Sequence, residues 1–171
     1  MKILAEKKAL KMLAVIRDEF AADIRTNYEH AAKSCVTCDT PGACCLDAHF
    51  VNVHITPLEA VAIRNVIENL PDERRNQVSR RITDTVSRFG LDRDGDTFSR
   101  TYACPLYEKG TGCLVHDEAK PLPCIQHACY ENAADLPPDA LQSAAEAAVA
   151  RLNERTYGQP QPWLPLPVAI S

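Results

Sequence analysis

Apolar positions along the chain change their spacing from segment to segment. From residue 3 to about 33, Leu10, Leu13, Ile16, Phe20, Ile24 and Tyr28 recur every three or four positions. That period lines them up on one helical face, with Lys7, Lys8, Lys11, Asp18 and Asp23 around the remainder, and it predicts one long amphipathic helix that packs into a core. The pattern stops at Ser34. Residues 34 to 48 carry no period and contain Pro41-Gly42, a turn signal. Phe50-Val51-Asn52-Val53-His54-Ile55 is apolar and β-branched, which predicts a short strand.

A helix start follows with three signals at once. Thr56 is a capping residue, Pro57 suits the first helical position, and Glu59 completes a capping box. The helix is expected to reach about Asn69 and to bury Leu58, Ala62, Val66 and Leu70 or their neighbours. Pro71-Asp72-Glu73 opens another, striped by Val78, Ile82, Val86 and Phe89 and stopped by Gly90. Thr101–Tyr107 and Cys113–His116 are predicted as two strands around the turn Lys109-Gly110-Thr111-Gly112. Residues 125 to 132 are expected to begin a helix. Leu141, Ala145, Ala148 and Leu152 predict a further helix from 139 to about 156, ended by Gly158. The proline-rich tail is expected to be extended, with Trp163, Leu164 and Leu166 packing back onto the body.

Composition adds limits to this outline. The 171 residues suit a single domain, 1–171, made of an N-terminal helix (1–33), a core (34–132) and a C-terminal helix with its tail (133–171). The net charge of −4 gives no strong nucleic-acid signal. The row Arg74, Arg81 and Arg88 reads as a solvated helix face, since acidic residues offset it and no aromatics interleave. Asp92-Arg93-Asp94-Gly95-Asp96 resembles a calcium loop only briefly. An EF-hand needs Gly directly after the third acidic ligand and Glu six residues later, but Thr97 and Ala103 stand there. No signal-peptide pattern and no membrane-length apolar run is present, so the expectation is a cytoplasmic protein with reduced thiols.

Against that background the eight cysteines require an explanation. Cys35, Cys38, Cys44 and Cys45 fall within eleven residues, and Cys104, Cys113, Cys124 and Cys129 follow. Clustering of this kind in a reducing compartment favours metal ligation over disulfides or unrelated buried thiols. Cys35-x2-Cys38 lets two sulfurs reach one centre, and zinc and iron–sulfur clusters share that ligand type. In an extended backbone the adjacent Cys44 and Cys45 would point to opposite sides, which argues for two neighbouring metals or a multinuclear cluster. Cys104 and Cys113 flank the predicted hairpin. Cys124 and Cys129 lie five apart, about 140° around a regular helix, so they cannot share an ion from one unbroken helix. His127 is a reserve ligand, and His49, His54 and His116 are weaker ones. His30 is read as a surface residue of the first helix. Catalytic residues are not apparent.

Three blocks of residues together carry a family resemblance. Cys35-x2-Cys38…Cys44-Cys45 comes first, then Val51-x-Val53-x-Ile55-Thr56-x2-Glu59-Ala60. The third is Cys104-Pro105-Leu106…Cys113-Leu114-Val115-His116…Lys120-Pro121-x2-Cys124. This combination, over residues 35 to 129, resembles the YkgJ-type cysteine-cluster family, whose CxxCxxCC motif is described as zinc- or iron-chelating. Flagellin lysine methylase is a related group. Here the gap from Cys38 to the adjacent pair is five residues instead of two, Lys120 stands where the family usually has Arg, and the spacing from Cys113 to Pro121 is about one residue longer. The resemblance implies metal binding by Cys35, Cys38, Cys44, Cys45, Cys104, Cys113 and Cys124. Cys129 joins them by count and proximity.

The expectation is therefore a mainly α protein with a small β-hairpin, its helices packed around a cysteine-rich, metal-binding core of loops. Its partner is a metal ion, as zinc or an iron–sulfur cluster, at more than one centre. Two alternatives stand beside this: an iron–sulfur-dependent redox or methyl-transfer enzyme, and a zinc-stapled interaction module presenting the arginine helix or the tail.

Overall fold

Helix α1 spans Glu6–Asn27 in a computed structural model that describes residues 3–33, 39–46, 51–94 and 97–171. The remaining elements are β1 (Ala32–Lys33), β2 (His54–Ile55), α2 (Pro57–Glu68), α3 (Asp72–Phe89), β3 (Tyr107–Glu108), β4 (Gly112–Cys113), α4 (Leu122–Gln126), β5 (Cys129–Tyr130), α5 (Asp139–Tyr157), β6 (Leu164–Pro165) and α6 (Leu166–Ile170). The protein is mainly helical, 59% helix, with small antiparallel sheets. Two compact units are present, each built from separated stretches of sequence: residues 1–41 with 120–161, and residues 42–119 with 162–171.

In the first unit α1 packs against α4 and α5. Its buried face is Ala9, Leu13, Phe20 and Ile24, and α5 buries Val149, Leu152, Asn153 and Thr156. Asn153 and Thr156 satisfy their side chains on the carbonyls of Val149 and Leu152, one turn back, so burial leaves those donors paired. The chain ends are tied where Leu4 N–H donates to Arg155 O at 2.9 Å and Tyr157 Oη–H donates to Glu6 at 3.0 Å. The first helix is shorter than its predicted span to about residue 33. At Tyr28 the backbone leaves helical geometry (φ −133°, ψ −38°), a 3-10 turn carries Glu29–Ala31, and β1 pairs with β5. The apolar stripe has run out at Tyr28, so nothing holds another helical turn against the core. His30 therefore lies on that exposed turn and not on the helix.

The second unit closes around a single apolar cluster. Ile55, Ile63, Val78, Ile82, Tyr102, Leu106, Val115 and Leu166 are among its buried members. α2 has the expected capping box: Glu59 N–H donates to Thr56 Oγ1, and Thr56 N–H donates to Glu59 Oε2 at 2.9 Å. A cap of this type contributes about 1 kcal/mol. The buried stripe of α2 is Leu58, Ala60, Ile63 and Ile67, with Ala62, Val66 and Leu70 only partly buried; the predicted face is rotated slightly. α3 ends where predicted, at Gly90 in the left-handed conformation (φ 59°), which spares a side chain that strain.

The tail is not extended throughout. β6 pairs with β2, and α6 buries Leu166, Pro167, Val168 and Ile170 against α2 and α3. Arg64 donates to Ala169 O at 2.8 Å and fixes the end of the chain. The two strands predicted around residues 109–112 shrink to β3 and β4, because Cys104 and His116 sit in turns. Of the predicted 50–55 strand only His54–Ile55 is paired, and Phe50 lies outside the described residues. The helix expected over 125–132 is instead the end of α4, a break at His127 and strand β5. Among the described residues the centre of the second unit is apolar, with Cys104 and Cys113 packed against it, and is not lined by cysteines.

Candidate metal centre

Four of the six described cysteines lie in the second unit and two in the first. Cys35, Cys38 and His49 lie outside the described residues, as do Gly95 and Asp96 of the polar turn. All six described cysteines are thiols, half-buried except for the exposed Cys129.

Cys44 and Cys45 occupy a 3-10 turn, Ala43–Cys45, entered through Gly42 at φ 80°. This corrects the premise of an extended backbone there. Successive side chains on a 3-10 turn are about 120° apart instead of opposed, so the adjacent thiols are not forced to face two different centres. Gly42 also has a packing role: a Cβ at this position would overlap the Tyr107 ring. Only glycine allows that ring to lie over the entry to the cysteine turn.

Cys104 lies on the neighbouring segment. Its N–H donates to Cys45 O at 2.7 Å, and the next positions form an antiparallel bridge, Leu46 with Ala103. Cys113 pairs in register with Tyr107 across the hairpin. The hairpin is anchored to α3 by charge. Glu108 takes Arg74 at 2.6 Å and Arg81 at 2.8 Å, and Arg81 Nε also donates to Pro105 O at 2.9 Å. The hydrogen bond from Arg74, aided by Arg81, holds the Glu108 carboxyl below its usual range against an opposing desolvation effect. The arginine row predicted as a solvated face is thus partly turned inward.

The Cys104 sulfur is the most perturbed group in the molecule. Burial pushes its thiol up to about 12, although the residue keeps some exposed surface. The backbone N–H of Leu106 opposes the rise, the nearby Cys113 adds to it, and the Tyr107 N–H and the Arg81 guanidinium oppose it. Two amides and a cation around one sulfur form a setting for thiolate charge. A proton currently occupies that place, and a soft metal ion would release it.

In the first unit, Cys124 is on α4 and Cys129 on β5, so the helical-wheel objection to their sharing a centre no longer applies. Cys129 pairs in register with Lys33, whose ammonium makes a 2.7 Å ion pair with Glu131. His127 caps the end of α4 and is exposed. His116 is exposed in a turn.

His54 has other contacts. Its Nε2 is 2.8 Å from Thr97 Oγ1, and its ring stacks on Phe98 with centroids 3.8 Å apart. Asn52 reaches the Phe98 carbonyl from the same segment. Burial lowers the His54 pKa, with the Asn52 backbone opposing. The stack with Phe98 lies outside what spacing could show, because 43 residues separate His54 from Thr97.

Among the described residues no three His, Cys, Asp or Glu side chains stand together at metal-holding distances. No described helix is long and apolar enough to cross a membrane. No family model, curated protein or solved structure matches the chain.

Proposed function

We propose that the chain binds a thiophilic metal through its cysteines, as zinc or as an iron–sulfur cluster. Cys35, Cys38, Cys44, Cys45, Cys104, Cys113, Cys124 and Cys129 are the ligand pool. The observation that carries this reading is the Cys104 environment. A buried sulfur faces the N–H groups of Leu106 and Tyr107 and the Arg81 guanidinium, with a second thiol, Cys113, close by. Amides directed at a sulfur stabilise a thiolate, and a thiolate is the form that ligates metal. The donor set fits both zinc and iron–sulfur centres, which take four thiolates.

In this reading the metal completes the fold around short elements. Strands β3, β4 and β5 have two residues each, too little to hold loops in place alone. Ligation supplies the missing cross-links, so binding and local folding are coupled. The test is thermal unfolding of the reduced protein with and without a strong chelator. The expected result is a melting temperature lower by about 10 °C or more after chelation. An unchanged melting temperature contradicts the reading.

A further inference from the structure

Resting on that reading, we propose that Cys44, Cys45, Cys104 and Cys113 form the complete ligand set of one thiolate-bound metal centre contained in the second unit. The adjacent pair then serves one centre and does not bridge two.

Three contacts bring these segments together. The Cys104 N–H bond to Cys45 O and the Leu46–Ala103 bridge fix Cys45 and Cys104 at neighbouring register positions. The Gly42–Tyr107 approach seats the 3-10 turn against β3, whose partner position is Cys113. Cys104 and Cys113 are close enough to interact electrostatically. The 3-10 geometry spreads the two adjacent side chains by about 120°, compatible with two corners of a tetrahedron. All four cysteines lie within residues 42–119, whereas Cys124 and Cys129 belong to the other unit.

Charge supports the same grouping. Four thiolates around a divalent ion leave a net charge of −2 after each thiol gives up its proton. The cluster of Arg74, Arg81 and Glu108 carries a net +1 beside the hairpin, and the Arg81 guanidinium acts on Cys104 itself. The sulfurs have still to converge, since no three of the described ligand-type side chains are gathered. Side-chain rotation on a backbone already joined at these points is the movement that metal binding requires.

The experiment uses the full chain, purified anaerobically with its metal or loaded with zinc. Metal is withdrawn slowly by chelator in the presence of iodoacetamide, and labelled cysteines are mapped by mass spectrometry over time. Because no variant is needed, a folding defect cannot mimic the result. The expected intermediate carries four labels, on Cys44, Cys45, Cys104 and Cys113, which appear or persist as one group. Separation of Cys44 from Cys45 overturns the proposal, as does release of all eight thiols in one phase. If metal protects none of the cysteines, the metal-binding reading itself has failed, and the proposal fails with it.

Discussion

Cys104 and Cys129 hold the same side chain on very different supports. Cys104 lies at the edge of an apolar core, on a segment bonded to the Cys45 turn and anchored to α3 through Glu108, Arg74 and Arg81. Cys129 lies exposed on a two-residue strand beside Lys33. Burial and directed amides distinguish the first from the second, and both perturb the sulfur through electrostatics. A count of cysteines therefore gives the ligand pool, while the surroundings decide which thiols are prepared for ligation.

The contrast can be broken most severely at Gly42. Gly42→Ala imposes φ 80° on a residue with a side chain and drives its Cβ into Tyr107. The expected loss is about 1–3 kcal/mol in a denaturant melt, together with weaker metal retention. A smaller effect follows from Glu108→Gln, which removes the charged acceptor shared by Arg74 and Arg81. The expected loss is about 1–2 kcal/mol at neutral pH. Glu108 has a folded pKa below its unfolded value, so its contribution is present above the unfolded pKa and is lost as pH falls through the folded one. The variant should accordingly lose less stability than the wild type between neutral pH and the acid range. Equal acid sensitivity would remove Glu108 from the account.

His54 sharpens the comparison from outside the cysteine set. Burial lowers its pKa, so the unfolded chain takes up a proton before the folded one does. Its contribution is full above the unfolded value near 6.5 and falls as pH drops below it towards the folded value. Denaturant midpoints for wild type and His54→Gln, measured at neutral and mildly acidic pH, should converge on acidification. The smallest effect is expected at Cys129→Ser in metal-free protein, within about 0.5 kcal/mol of wild type, as for exposed positions generally. A large loss there would erase the difference between the two thiols.

Sequence patterning revealed the helices more fully than the site. Thr56-Pro57-x-Glu59 and Gly90 mark helix ends through local hydrogen bonding and backbone freedom, so they could be read in order along the chain. The shortened α1 was harder to read, because Ala31 and Ala32 neither continue nor break a helical pattern; pairing with residues about a hundred positions away decides it. Likewise Pro160–Pro167 suggested an extended tail, yet pairing with His54–Ile55 and packing on α2 and α3 shape its end. Around the cysteines, clustering and spacing named the candidates. The 3-10 turn at Cys44–Cys45, the Tyr107 ring over Gly42 and the Arg81 contact with Cys104 are nonlocal or depend on turn geometry. Those features change the meaning of the adjacent pair from a bridge between two metals to two ligands of one.

The central claim is metal binding by thiolates, and elemental analysis with a visible spectrum on one anaerobically purified sample tests it most directly. The account predicts zinc with a colourless spectrum, or iron with sulfide and visible charge-transfer absorbance, in stoichiometric amounts. Metal-free protein with eight reduced thiols, unable to take up either metal, would contradict it.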